Sequence, residues 1–274
     1  MKKEKRGALG FLYETAFGRF VLRLLTARWI SKLCGAFLNS RLSKPLIKKF
    51  VKSNNIDLNE YHSDGFRCFN DCFCRKIKAE LRPIDSDPTH LIAPCDGLLS
   101  VYPINGDTVL PIKQSKYTIP SLLMDDELAA KYRDGLCLVF RLCVNHYHRY
   151  GYIDSGKKGE NTFIKGRLHT VRPIALENYP VFCENCREWT ALETDNFGTV
   201  TQIEVGAMLV GKIKNHHGEH SFSRGEEKGM FLYGGSTVVV LLEKGAATID
   251  KKFIEATEKG EESPVMFGQC IGIK

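Results

Sequence analysis

Tyr233-Gly234-Gly235-Ser236-Thr237-Val238-Val239-Val240-Leu241-Leu242 is the stretch on which the reading of this chain turns. Five consecutive apolar residues, three of them β-branched, predict a buried strand over Val238–Leu242. The two glycines ahead of Ser236 remove Cβ atoms and permit unusual dihedrals. That freedom lets the Ser236 hydroxyl approach the carbonyl carbon of Gly235 within its own backbone. A nucleophile elbow has the pattern Gly-x-Ser-x-Gly, and Gly235-Ser236-Thr237-Val238-Val239 lacks the second glycine. The local chemistry suits attack on the chain itself.

Working outward, further short β-like runs separated by turns occupy Leu91–Tyr102, Thr108–Ile112, Leu136–Val144, Thr162–Val171 and Val200–Ile213. Asp195-Asn196-Phe197-Gly198 reads as a tight turn before the last of these. One helix is expected around Ser121–Tyr132, and residues 39–83 read as a helical and loop connector broken at Pro45 and Asn54-Asn55. Residues 10–38 instead have helical periodicity: Phe17, Phe20, Val21, Leu24 and Leu25 share one face, with Arg19 and Arg23 opposite. Trp29, Ile30, Leu33, Phe37 and Leu38 continue the pattern. The fold class is α+β: N-terminal amphipathic helices, then a mainly antiparallel sheet or barrel-like core.

Charge divides the chain in the same place. Residues 1–53 hold thirteen Lys/Arg against Glu4 and Glu14, a balance of +11, and the remainder carries −4. A basic end with an aromatic-rich apolar helix face is how an in-plane interfacial helix is composed. The aromatics fall on the apolar face and not beside the charges, where stacking on bases would need them, so no nucleic acid is expected. The boundary is therefore drawn between a membrane-associating segment, 1–53, and a catalytic unit, 54–274. Arg and Lys interrupt every apolar stretch, so no spanning helix is expected. No signal peptide is read at the N-terminus, and the ten cysteines are expected to be reduced, core-filling thiols.

Three segments carry chemistry: Pro94-Cys95-Asp96-Gly97, Asn145-His146-Tyr147-His148-Arg149-Tyr150 and Gly234-Gly235-Ser236-Thr237. Each alone is an ordinary turn or loop. Together they supply a carboxylate, an imidazole and a hydroxyl, the three parts of an activated serine.

At these residues the chain resembles the phosphatidylserine decarboxylases, over nearly its full length. The likeness rests on Phe69-Asn70-Asp71, Arg75-Lys76-Ile77, Asp96, Tyr147-His148-Arg149, Glu204-Val205-Gly206-Ala207 with Val210-Gly211, and Gly225-Glu226-Glu227-Lys228-Gly229 leading into Gly-Gly-Ser-Thr. The resemblance implies that Asp96 and His148 activate Ser236, which attacks Gly235. The chain would then be cut between Gly235 and Ser236 into residues 1–235 and 236–274, the second headed by a pyruvoyl group derived from Ser236. That covalent cofactor serves as an electron sink when phosphatidylserine loses carbon dioxide to give phosphatidylethanolamine. His148 is the implied proton donor. The resemblance also implies a homodimer held peripherally at the cytoplasmic face of an anionic membrane.

The family pattern often has a second histidine three positions after the first, where this chain has Gly151. Either His148 serves both steps, or His146 or His169 supplies the missing function, or processing has been lost. The last case is a non-catalytic membrane-binding relative. A third reading is a metal-dependent hydrolase using His146, His148 and cysteines. Cys183-Glu184-Asn185-Cys186 has ligand spacing, but Cys72-Phe73-Cys74 does not complete a zinc set. His216-His217 with His220 reads as a solvated turn, and no metal is expected.

Overall fold

The computed structural model describes residues 11, 12, 14–25, 28–62, 65–106, 108–112, 115–166, 181–206, 212–232 and 236–274. Seven strands position the site: β1 (Gly97–Asn105), β2 (Leu136–Leu142), β3 (Arg149–Gly151), β4 (Arg187–Thr194), β5 (Gly198–Val205), β6 (Glu227–Leu232) and β7 (Ser236–Leu242). In the main sheet the order is β4-β5-β7-β2-β1, every neighbour antiparallel. β3 and β6 join Lys212–Asn215 in a second sheet, and His90–Ile92, Cys270–Ile273 and Thr248–Ile249 make a third. The architecture is α+β and mainly antiparallel, as the sequence predicts. The main sheet ends on two separate edges, His220–Phe222 and Ser115–Thr118, so among the described residues it stays open and does not close into a barrel.

All seven residues of β7 are buried, because the sheet is covered on both faces. Val238, Val240 and Leu242 enter a core with Leu99, Phe140, Leu142 and Tyr150. Val239 and Leu241 point the other way, into a core with Tyr132, Leu122 and Ile203. Side chains alternate with period two, so this burial pattern also decides the face on which Ser236 stands. A one-residue slip would invert five apolar side chains, each contributing roughly 1.5–3 kcal/mol when buried. The apolar run thus holds Ser236 on the Phe140–Tyr150 side.

Several predicted elements are divided. The run read as Leu91–Tyr102 splits into His90–Ile92, which pairs with Cys270–Ile273, and β1 in the main sheet. The break falls at Pro94, which has no N–H to give a ladder, and Gly97 passes close to the Arg141 carbonyl, 3.2 Å from where a Cβ would lie. The helix read over Ser121–Tyr132 is two, Ile119–Leu123 and Asp126–Ala130, separated at Met124 with φ +54°. The run read as Val200–Ile213 contains parts of β5 and of Lys212–Asn215, in different sheets, with residues 207–211 outside the described set. Of Thr162–Val171, Thr162–Ile164 is strand and residues 167–171 lie outside it. The 195–198 turn joins β4 to β5, with Gly198 at φ +68°.

Two N-terminal helices, α1 (Ala16–Leu25) and α2 (Arg28–Leu38), are half docked. Leu22 inserts into the Val239–Leu241 core, and Leu38 packs with Phe69 and Phe73. The aromatic face remains outside: Phe17 is 68% and Phe20 59% exposed, with Leu33, Phe37, Leu42 and Leu46 also exposed. The helix α1 therefore has two apolar faces, one turned to the protein and one left exposed, where the Phe17 ring lies 6.3 Å from that of Phe11. No described helix is long and apolar enough to cross a membrane.

Candidate active site

Ser236 pairs with Leu142, the last residue of β2. Residues 143–147 then turn back, and the chain returns at His148, whose carbonyl accepts from the Phe231 N–H of β6 at 3.0 Å. This return brings the His148 ring beside Ser236: Oγ and Nδ1 are 3.3 Å apart, and both residues are fully buried. The tautomer follows from the other ring nitrogen. His148 Nε2 lies 3.1 Å from the Cys143 carbonyl, which only accepts, so the proton sits on Nε2. Nδ1 is left with a lone pair facing the Ser236 hydroxyl. Burial holds the imidazole well below its ordinary pKa of 6.5, and the nearby Arg75 and His146 charges push in the same direction. A neutral, oriented base faces a buried alcohol.

The loop that carries His148 is clamped from the helix α3 (Phe69–Phe73) and the residues after it. The Phe73 ring lies on His148 with centroids 4.1 Å apart. Arg75, 2% exposed, donates from Nη2 to the Asn145 carbonyl at 2.8 Å and the His146 carbonyl at 3.2 Å. Its guanidinium also sits 4.3 Å over the Tyr61 ring. Neither Arg75 nor Phe73 was singled out for chemistry by sequence reasoning. An arginine directly after the apolar trio Cys72-Phe73-Cys74 is the one local signal that it is buried.

Asp96 is also buried, at the start of β1, but its carboxylate faces elsewhere. Arg82 grips it through Nε to Oδ1 at 2.8 Å and Nη2 to Oδ2 at 2.6 Å, and the Phe267 N–H donates to Oδ1 at 2.9 Å. Among the described residues no hydrogen bond joins Asp96 to His148. Its charge reaches His146 instead, where it opposes the lowering of the imidazole pKa by burial and by Arg141, Arg75 and Arg82. His146 Nδ1 accepts from the Cys143 N–H at 3.1 Å, so its lone pair is spent inside the loop. His169 and Gly235 lie outside the described residues.

Gly151 leaves no room for a second histidine. A Cβ there would meet the Glu226 carbonyl oxygen and the Phe267 ring at 2.7 Å each. On the far face of β7, next in sequence to Ser236, the buried Thr237 hydroxyl has no hydrogen-bond partner among the described residues. Such an orphan is uncommon in a folded protein. All ten cysteines are free thiols, and burial raises Cys72 to about 11, the opposite of what a reactive thiol needs.

Comparison with known proteins points the same way. Residues 69–273 match the family model described as phosphatidylserine decarboxylase. Over 272 residues the chain is 44% identical to phosphatidylserine decarboxylase proenzyme 2 of Clostridium acetobutylicum, covering 99% of this chain and 93% of that one. It is 42% identical over 268 residues to the phosphatidylserine decarboxylase proenzyme of Clostridium beijerinckii, covering 96% and 90%. A third relative, the phosphatidylserine decarboxylase proenzyme of Ruminiclostridium cellulolyticum, is 42% identical over 271 residues, with the same coverage.

Proposed function

The chain belongs to the phosphatidylserine decarboxylase family, and on that premise we propose that it makes phosphatidylethanolamine at a membrane surface with a pyruvoyl group cut from its own Ser236. The observation that carries this reading is the lone pair of His148 Nδ1 held 3.3 Å from the Ser236 hydroxyl. The curated relatives are named proenzymes, which agrees with a precursor that must process itself.

In the first step His148 Nδ1 takes the Ser236 proton as Oγ attacks the Gly235 carbonyl carbon. The peptide C–N bond gives way to an ester, freeing the Ser236 nitrogen. Loss of the Ser236 α-proton then expels the Gly235 carboxylate. Tautomerisation and one water release ammonia and leave a pyruvoyl group at residue 236. When present, that ketone supplies the electron sink for carbon dioxide loss from the headgroup. His148, the imidazole beside Ser236 among the described residues, returns a proton to the headgroup carbon. Asp96 acts through its charge, offsetting Arg141, Arg75 and Arg82 around His146, with His146 and His169 as supporting groups. Burial of Ser236 and His148 excludes water that would compete with attack on Gly235.

The cut does not release the 39-residue fragment 236–274. β7 is bonded on both sides, to β5 and β2, while Ser263–Val265 pairs with β1 and Cys270–Ile273 with His90–Ile92. Intact mass after denaturing separation tests the reading: two chains, the small one blocked at its N-terminus, that co-elute under native conditions. Ser236→Ala gives one uncut, inactive chain. A parent chain that stays whole favours the non-catalytic membrane-binding relative.

Residues 1–53 serve as the membrane segment of a peripheral, cytoplasmic-face homodimer, and 54–274 as the catalytic unit. What supports the membrane role is the +11 balance together with the exposed Phe17 and Phe20. Replacing both phenylalanines with serine weakens binding to anionic vesicles by roughly a hundredfold or more, since each buried phenyl is worth about 1.5–3 kcal/mol. High salt weakens the parent's binding too. Leu22→Ala, on the protein-facing side, lowers stability and leaves binding unchanged. Equal binding by the Phe17/Phe20 variant counts against this face.

A further inference from the structure

We propose that His217, His220 and Glu226 form a binding site for one divalent transition-metal ion of the zinc class, separate from the Ser236–His148 centre. The three donor atoms lie within 4.8 Å of one another. His220 Nε2 is 2.7 Å and His217 Nε2 4.0 Å from the same oxygen, Glu226 Oε1. The two imidazoles stack with centroids 3.9 Å apart and planes 15° from parallel. Two histidines and a carboxylate are a borderline donor set: imidazole suits zinc, cobalt or nickel and not magnesium or calcium. Three protein donors leave a fourth position for water.

An ordinary ion pair explains His220 and Glu226 but not His217. Its Nδ1 lies 3.4 Å from the Tyr152 hydroxyl, the outer partner that sets the ring of a ligating histidine. Nε2 is thereby turned toward Glu226, and it carries the lone pair when Nδ1–H donates to the Tyr152 oxygen.

The backbone under the three donors is held as a ligand set requires. His220 opens the strand His220–Phe222, paired with Gly156–Lys158. Glu226 Oε2 accepts from the Ser223 N–H at 2.9 Å, leaving Oε1 to the histidines, and the Glu226 carbonyl accepts from the Tyr152 N–H. Tyr152 in turn stacks on Phe222 with centroids 4.1 Å apart. Lys158 Nζ is occupied by the His217 and Gly218 carbonyls and not by the donors. Reading 216–220 as a solvated turn misses the site because Glu226 lies just beyond the turn and Tyr152 comes from a distant part of the chain. Metal binding displaces the proton shared by His220 and Glu226 into solvent. The ion would fasten His217 and His220 to Glu226, the residue immediately before β6.

The full-length chain, stripped with a chelator, is titrated with Co²⁺ and with Zn²⁺. The expected result is one ion per chain, a visible ligand-field spectrum without thiolate charge transfer, and a raised unfolding midpoint. His217→Ala lowers the affinity by more than the roughly 10–100-fold that loss of an outer partner costs. Its ring is half-exposed, so circular dichroism of the variant should match the parent, and Tyr152→Phe gives a milder loss as a second check. Cys270→Ser leaves binding intact. Absence of stoichiometric binding overturns the proposal, as does binding that survives His217→Ala. A thiolate signature lost with Cys270→Ser also overturns it, by placing the ion at the other such cluster among the described residues, Asp85, His90 and Cys270.

Discussion

Replacing His148 with alanine leaves the freshly made chain in one piece, with self-cleavage slowed by roughly 10²–10⁴-fold, the range a positioned general base supplies. No other described imidazole replaces it: the His146 lone pair is bound to the Cys143 N–H, and the place of a second family histidine is filled by Phe267 at Gly151. Because alanine leaves a void against Phe73, His148→Gln is the companion variant, its amide able to keep a bond to the Cys143 carbonyl. A glutamine variant that cuts itself at the parent rate removes His148 from the mechanism. The pH profile carries a second check. The base works only when neutral, and its lowered pKa keeps it neutral below the ordinary 6.5, so the parent's acid limb lies below that value. Arg75→Met removes a positive charge beside the ring, the His148 pKa rises, and the limb moves to higher pH. A slower rate with an unmoved limb would show that Arg75 only braces the loop.

How far the sequence foretells this site depends on the range of each interaction. The apolar run 238–242 determines both the burial of β7 and, through its parity, the face that Ser236 occupies. Turn chemistry around Asp195-Asn196-Phe197-Gly198 is equally local, and it forms as read. The partners of Asp96 are not local in this sense. Arg82 lies fourteen residues upstream and the Phe267 N–H on the other side of the predicted cut, so a carboxylate that reads as a relay member is found gripped by a guanidinium. The same limit explains the divided strands, since nothing in Leu91–Tyr102 itself announces that its two halves join different sheets. Short strands such as β3 and β6 escaped because Arg149, Glu227 and Lys228 break any apolar alternation. Within β6, Lys228 is fully buried, which no single-residue rule anticipates.

That lysine yields the largest stability effect. Lys228 Nζ donates to both oxygens of Glu204 at 2.9 and 2.8 Å and to Asn215 Oδ1 at 3.0 Å, and Lys228 and Glu204 are wholly shielded from solvent. Asn215 extends the network, donating to Glu188 at 2.8 Å and accepting from the Tyr150 hydroxyl at 3.1 Å. Lys228, Asn215 and Tyr150 stand on the small sheet whose β6 bonds to His148, while Glu204 and Glu188 stand on the main sheet beside β7. The network therefore couples base to nucleophile. Lys228→Met leaves Glu204 buried without its cation and costs about 3–5 kcal/mol, on the order of 10 °C in the unfolding midpoint. Burial already raises the Glu204 carboxyl above 4.5, opposed chiefly by Lys228. Without Lys228 the pKa climbs further, so the folded state keeps a proton that the unfolded chain has released. Stability of the variant then falls as pH rises above 4.5, and its deficit is smaller in acid than at pH 8. Glu204→Gln combined with Lys228→Met removes both charges and recovers most of the midpoint. If the single and double variants unfold together at every pH, the pair is not ionised, and the coupling between the sheets rests on packing alone.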